Sequence, residues 1–197
     1  MNLPKIIGLT GGIGSGKTTV AKLFKKLGVS IYVSDDESKK ITNKPEILLK
    51  IKSVFGDFVF DKEVLNRKRL GEIVFKNPNK LSELNAIIHP EVKKDFDKWL
   101  IMHSDEKFII KESAILIETG EYKNCEAVIC ITASLENRIK RLKKRDNLSE
   151  KEIIMRINSQ ISDEERLNKS IYIIKNDIKN ISQLQVEVIF RQLISKY

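Results

Sequence analysis

The chain has 197 residues and carries 36 lysines and arginines against 27 aspartates and glutamates, a formal net charge of +9. That length suits one α/β domain, or a core with one or two small inserted lobes. A charged fraction of 32%, with no apolar run near the ~20 residues of a bilayer span, excludes a helical membrane protein; with no charged-then-apolar leader pattern at Met1–Lys5, a cytosolic location is expected.

In chain order, residues 5–10 read as a short buried strand that runs into a glycine-dense stretch, with five of the nine glycines between Gly8 and Gly16. The period then turns helical. Val20, Leu23, Phe24 and Leu27 recur at i, i+3, i+4 and i+7, and Gly28 marks the stop. Residues 29–34 read as a second strand, and Asp35, Asp36 and Glu37 suit the positive end of the helix that follows. Residues 45–103 are expected to form an inserted helical lobe without a central strand, broken at Asn77-Pro78 and His89-Pro90. A third strand is carried by 108–111 and 114–117, its boundary left open. A fourth, rich in β-branched residues, covers 127–132. Helix 134–145 comes next, and the capping patterns Ser149-Glu-Lys-Glu152 and Ser162-Asp-Glu-Glu165 start two more. Residues 171–174 form the fifth strand and 181–197 the closing helix. Strands alternating with helices, without hairpin signals, imply a parallel sheet covered on both faces.

Cys125 and Cys130, five residues apart about one apolar run, would point to opposite faces of a strand, so free thiols are expected rather than a disulfide.

The strongest chemical signal is Gly11-Gly-Ile-Gly-Ser-Gly-Lys-Thr18, which fits G-x-x-x-x-G-K-[ST]. Polyphosphate oxygens need many donors close together. Glycines free to adopt positive φ turn successive backbone N–H groups inward, and the helix beginning near Lys17 adds its positive end. Gly12, Gly14, Ser15, Gly16, Lys17, Thr18 and Thr19 are therefore the candidate ATP-binding residues, with Lys17 reaching the β- and γ-phosphates and the Thr18 hydroxyl ligating Mg²⁺. Neither the D-x-x-G nor the N-K-x-D pattern of GTP switch proteins occurs in the sequence, so a small-molecule kinase fits better.

Such a kinase needs a group to orient the accepting hydroxyl, and ligands of a parallel sheet bind beyond the carboxyl ends of its strands. Asp35, at that end of the second strand, is the candidate base; a helix N-cap is its alternative role and Asp36 its competitor. In 138–145 six of eight residues are Lys or Arg. Arg138, Arg141 and Arg145 share one helix face, either a lid closing over ATP or a solvated surface.

Several segments are similar to dephospho-coenzyme A kinases. Ile7–Thr18 resembles that family's phosphate loop nearly letter for letter. Leu65-Asn-Arg-Lys-Arg-Leu70 resembles its L-N-R-x-x-L segment, and Leu84-Asn-Ala-Ile-Ile-His-Pro90 its L-N-x-x-x-H-P signature. Arg141-Leu-Lys-Lys-Arg-Asp146 and Arg156-Ile-Asn-Ser-Gln160 resemble its lid and the segment after it. The resemblance implies a P-loop kinase fold with a core (about 1–44 and 104–197), a helical coenzyme-A lobe (about 45–103) and a lid (about 138–165). It implies transfer of the ATP γ-phosphoryl group to the ribose 3′-hydroxyl of dephospho-coenzyme A, with Asp35 as base, Arg141 and Arg145 in the lid and Asn176 near the adenine. Leu65, Arg67, Asn85, His89 and Glu118 become candidates for the acceptor site; lobe stability is an equal role for Leu65, Arg67 and Asn85, and a structural one for His89.

The chain departs from the family pattern at three places. Val33 replaces the first Asp of a D-A-D element, leaving Asp35 to act alone. Ala114-Ile-Leu-Ile-Glu118 keeps the glutamate of P-L-L-x-E but not its proline. Lys175 replaces an acid before Asn176. Rival readings are a kinase for nucleoside monophosphates or a sugar acid, and a basic nucleic-acid-binding ATPase, although no aromatic residue interleaves the charges of 138–145. A small-molecule partner is expected, without nucleic acid or membrane.

Overall fold

A computed structural model describes residues 3–197. In chain order its elements are β1 (Lys5–Gly11), α1 (Lys17–Lys26), β2 (Ile31–Val33), α2 (Ser34–Thr42), α3 (Pro45–Phe55), β3 (Phe60–Asp61), β4 (Val64–Leu65), α4 (Arg67–Val74), α5 (Pro78–Met102), β5 (Phe108–Glu112), β6 (Ala127–Thr132), α6 (Leu135–Asp146), α7 (Glu150–Asn158), α8 (Asp163–Asn168), β7 (Tyr172–Lys175) and α9 (Lys179–Lys196). They form two compact units: the chain up to Val33 together with His103–Tyr197, and Ser34–Met102. Among the described residues no helix is long and apolar enough to cross a membrane.

The first unit is built on five parallel strands in the order β2-β5-β1-β6-β7. β1 lies in the middle, which is why its residues read as a continuous apolar run rather than an alternation. On one face Ile7 and Leu9 pack with Val20 and Phe24 of α1 and with Val186, Ile189 and Leu193 of α9. On the other, Leu116, Ile117 and Val128 form a smaller cluster joined by Ile161. Crossing from β1 to its neighbours carries the chain out at the carboxyl edge of the sheet, so the glycine-rich segment after β1 opens where ligands of such sheets bind.

Three helices of this unit begin at serines that cap them. Ser134 and Ser162 accept backbone N–H groups three residues on, and Ser149 and Glu152 complete a reciprocal capping box. Each cap stabilises its helix by roughly 1 kcal/mol. Cys130 is buried in β6, Cys125 is half-buried, and both are free thiols.

Two local expectations fail here. The second strand is three residues long, not six. Residues 114–117 are not strand: Ser113 N–H still bonds Leu9 O, but the Ser113 hydroxyl then accepts the Ile115 N–H and the chain turns. Leu116 and Ile117 are buried by that turn, so an apolar pair imitated strand character.

The second unit packs Ile41, Ile47, Ile51, Val59, Leu65, Leu70 and Val74 into its own core. It contains a small antiparallel hairpin, β3 with β4, that the sequence reading lacked; Lys62 turns it at φ 57°. The expected break at His89-Pro90 is also absent, since α5 runs unbroken through Pro90. An interior proline costs a helix roughly 3 kcal/mol. Apolar residues on both sides of it, Leu81, Leu84 and Ile87 before and Val92 after, pack on the unit's core and hold the helix together.

Candidate active site

The Gly11–Thr18 segment connects β1 to α1 as a backbone cradle. Gly14 and Gly16 take positive φ of 78° and 95°, which side chains at those positions would resist. Gly16 is the N-cap of α1, with no side chain capping it and no acidic residue in the first turn. The uncapped N–H groups and the helix dipole therefore favour an anion. Lys17 Nζ donates to Gly11 O at 2.9 Å, so the ammonium lies over the loop it closes. Thr18 and Thr19 are exposed in the first turn, and the buried Ser15 hydroxyl has no hydrogen-bond partner.

The outer side of the loop is gripped by side chains from far along the chain. Arg141 Nη1 donates to Gly14 O (3.3 Å) and Ser15 O (3.2 Å), and its Nη2 to Asn176 O. Asn176 is buried after β7; its Nδ2 donates to Ser15 O at 2.8 Å and its Oδ1 accepts from Ser182 Oγ at 2.9 Å. Arg138 Nε donates to Ile13 O at 2.8 Å, and the Ile13 N–H donates to Gln160 Oε1 at 2.8 Å. Loop carbonyls that would point away from a bound phosphate thus have donors, and the inward N–H groups are left for the ligand.

A family model for dephospho-CoA kinase matches residues 5–182. The chain belongs to the dephospho-CoA kinase family. A dephospho-CoA kinase of Bacteroides fragilis strain YCH46 is 41% identical over 172 residues, covering 87% of this chain and 84% of its own length. Among solved structures, a dephospho-CoA kinase from Campylobacter jejuni superposes with a TM-score of 0.72 at 30% identity, over 98% of both chains. A Thermus thermophilus protein superposes with a TM-score of 0.89 at 27% identity, over 98% of this chain and 99% of its own. Membership makes this chain an ATP-dependent kinase of the P-loop α/β fold, a transferase that works with Mg²⁺.

Of the arginine face read from the sequence, Arg138 and Arg141 are packed onto the phosphate loop, and a solvated helix is ruled out for them. Arg138 is 5% exposed. Burial lowers its pKa and the neighbouring Asp163 opposes that shift. Arg145 is not part of the cluster: it is largely exposed and chelates Asp146 (2.7 and 2.9 Å), which raises the arginine pKa and lowers that of the aspartate.

Glu118 meets Arg166 at 3.3 Å, and Arg166 in turn bonds Asp163. Asp163 and Arg166 were missed as site-supporting residues. Asp163 had been visible only as the residue after a cap, and nothing in local spacing connects it to a loop 150 positions away. These residues border a cleft of about 320 Å³ between Arg138, Gln160, Ser162 and Arg166.

In the second unit, Asp35 is exposed in the first turn of α2. The helix begins at Ser34, so Asp35 is inside it rather than at its N-cap. Asp36 and Glu37 each pair with a lysine three residues on, Lys39 (3.1 Å) and Lys40 (2.7 Å). Asp35 has no such lysine partner among the described residues. Arg67 donates to Lys39 O and Asn43 Oδ1, joining the start of α4 to the end of α2. Leu65 is buried in the lobe core, Asn85 is half-buried and His89 exposed on α5.

The loop fits a nucleotide triphosphate. It offers a helix N-terminus that no side chain caps, an ammonium and a hydroxyl, and no carboxylate in the first turn of α1 to repel phosphate. No group of three or more His, Cys, Asp or Glu side chains converges among the described residues. Mg²⁺ keeps much of its water and is usually held by few protein groups together with substrate phosphates.

Proposed function

We propose that this chain phosphorylates the ribose 3′-hydroxyl of dephospho-coenzyme A with ATP, giving coenzyme A and ADP, the last step of coenzyme A synthesis. Family membership supports the substrate. The observation that carries the chemistry is the uncapped, glycine-turned entry to α1 with Lys17 folded over it.

In this reading inward amides of the loop hold the phosphates, apart from those of Ile13, Ser15 and Thr19, which are bonded to Gln160 Oε1, Gly12 O and Gly16 O. Lys17 leaves its Gly11 carbonyl to bind the β- and γ-phosphates. Thr18 Oγ1 is the protein ligand of Mg²⁺, which when bound neutralises charge on the phosphate oxygens. Asp35 orients the 3′-hydroxyl and accepts its proton. Asp36 and Glu37 are already engaged by lysines, and with Val33 in place of a first aspartate the proton has one acceptor.

Arg141 anchors the loop beneath the nucleotide, Asn176 borders the adenine side, and Arg145 closes with the lid once it releases Asp146. Leu65, Arg67, Asn85 and His89 shape the acceptor lobe, and Glu118 supports the acceptor site through Arg166. The working parts are a core of about 1–44 and 104–197, a lobe of about 45–103 and a lid of about 138–165. The enzyme acts in the cytosol on a small molecule, without nucleic acid or membrane; the +9 charge serves polyanionic substrates.

The deciding experiment is ATP consumption by the purified chain with Mg²⁺, with and without dephospho-coenzyme A, and with nucleoside monophosphates and a sugar acid as rival acceptors. Consumption that requires dephospho-coenzyme A, with coenzyme A as product, is expected. Consumption driven by another acceptor, or by none, refutes the assignment.

A further inference from the structure

We propose that Arg138, aimed by Asp163, is a positioning residue that sets the apex of the phosphate loop, with Gln160 holding the same residue of the loop from its N–H side. This rests on the reading of Gly11–Thr18 as the nucleotide site and adds the device that keeps it in shape.

Ile13 sits at the tip of the loop. Its carbonyl accepts from Arg138 Nε at 2.8 Å and its N–H donates to Gln160 Oε1 at 2.8 Å, so both its polar groups are fixed by side chains more than 120 residues away. The guanidinium is planar, so fixing one nitrogen fixes the direction of the others. Asp163 Oδ2 takes Arg138 Nη1 at 2.9 Å. Asp163 itself is pinned, since its Oδ1 accepts from Arg166 Nη1 at 3.0 Å and Arg166 Nη2 reaches Glu118 Oε1 at 3.3 Å.

The fit against the loop backbone is close. A Cβ built on Gly12 would stand 2.6 Å from Arg138 Nη2 and 3.2 Å from Asp163 Oδ1. Arg138 and Arg166 are 5% and 1% exposed. Burying two cations around a shared carboxylate is a weak way to stabilise a fold, because apolar groups of the same volume often do as well. What the network offers that apolar packing cannot is a fixed direction for one carbonyl. Drawing Ile13 O outward turns the adjoining peptide N–H groups towards the cradle, the arrangement phosphate binding needs.

Lysine at 138 would keep the charge beside Asp163 but cannot present two donors in a rigid fork to Asp163 and Ile13 O together. The test compares R138K, D163N and Q160A with the parent. It measures affinity for Mg²⁺ and a non-hydrolysable ATP analogue by calorimetry, KM for ATP and for dephospho-coenzyme A, and thermal midpoint. R138K is expected to melt close to the parent yet lose about tenfold or more in nucleotide affinity, as the loss of one well-aligned hydrogen bond from a charged group would produce, while the acceptor KM stays within about twofold. D163N and Q160A shift nucleotide affinity in the same direction, and Q160A decides if R138K does not fold.

Parent-like nucleotide affinity in R138K, or in Q160A where R138K is unfolded, overturns the proposal. So does a loss matched by a core variant of equal thermal midpoint, such as I189V. Because the calorimetry contains no acceptor, a wrong acceptor assignment leaves this result untouched, whereas a parent that binds no nucleotide overturns the phosphate-loop reading itself.

Discussion

Asn176→Asp exchanges one NH₂ for one oxygen and leaves shape nearly unchanged, so it isolates what the amide donates to the loop. Asn176 is 5% exposed, its Nδ2 donates to Ser15 O at 2.8 Å, and its Oδ1 is engaged by Ser182 Oγ at 2.9 Å. The Ser182 bond survives the exchange. The Ser15 bond becomes two acceptors facing each other. Losing the bond costs about 0.5–1.5 kcal/mol and leaving a buried acceptor opposed adds about 1–3 kcal/mol. Arg141 Nη1 still reaches Ser15 O at 3.2 Å, so the lower half of the sum applies, about 1.5–3 kcal/mol. For a chain of this size that lowers the thermal midpoint by about 3–12 °C.

The pH dependence gives a second check. Burial and the facing carbonyl favour the neutral form of the introduced carboxyl, so its folded pKa lies above the unfolded value of about 3.9. The penalty is then complete above the folded pKa, shrinks as pH falls through it, and vanishes below the unfolded value. Calorimetric melts of parent and variant from about pH 7.5 to about pH 5 measure this. A variant melting within about 1 °C of the parent, or a gap that widens on acidification, would refute the idea that this amide anchors the loop.

Asp35→Asn should lower kcat by about 10²–10⁴ while nucleotide affinity stays within a few-fold; turnover near the parent's would remove Asp35 from the base role. For Lys17→Ala, kcat/KM for ATP should fall by about 10²–10³, and unchanged steady-state kinetics would exclude the ammonium from phosphate binding. Burial pushes the Cys125 and Cys130 thiols each up to about 11. Native protein at neutral pH should resist iodoacetamide at both sites and react only when unfolded, as mass spectrometry would report. Since the folded state favours the neutral thiols, their contribution to stability is complete below the unfolded thiol pKa and declines as pH rises through the folded value near 11; a thermal midpoint that rose over that alkaline range would contradict it.

What could be read locally was read well because its cause is local. Gly11–Thr18 reads as a glycine-turned loop running into a helix, and the positive-φ glycines, the helix start and the lysine do stand at those adjacent positions. The serine caps at 149 and 162 are equally local, and their helices start where those serines stand. Family membership follows from residues spread along the whole chain, each legible in order. Errors arose where long-range packing outweighs a local signal. Pro90 did not end α5, because apolar contacts on both sides carry the helix across it, and 114–117 became a buried turn rather than a strand.

Only the tertiary structure could decide what the basic stretch does. Its i, i+3, i+7 spacing placed Arg138, Arg141 and Arg145 on one face, but the same spacing serves a lid or a solvated surface. The fold brings α6 and α8 against the loop that follows β1. Two of these arginines are drawn onto loop carbonyls, and the third pairs with its sequence neighbour Asp146. The partners that make the difference, Ile13 for Arg138 and Asp163 between two arginines, are joined through space by strand order, a relation that residue spacing along one chain does not encode.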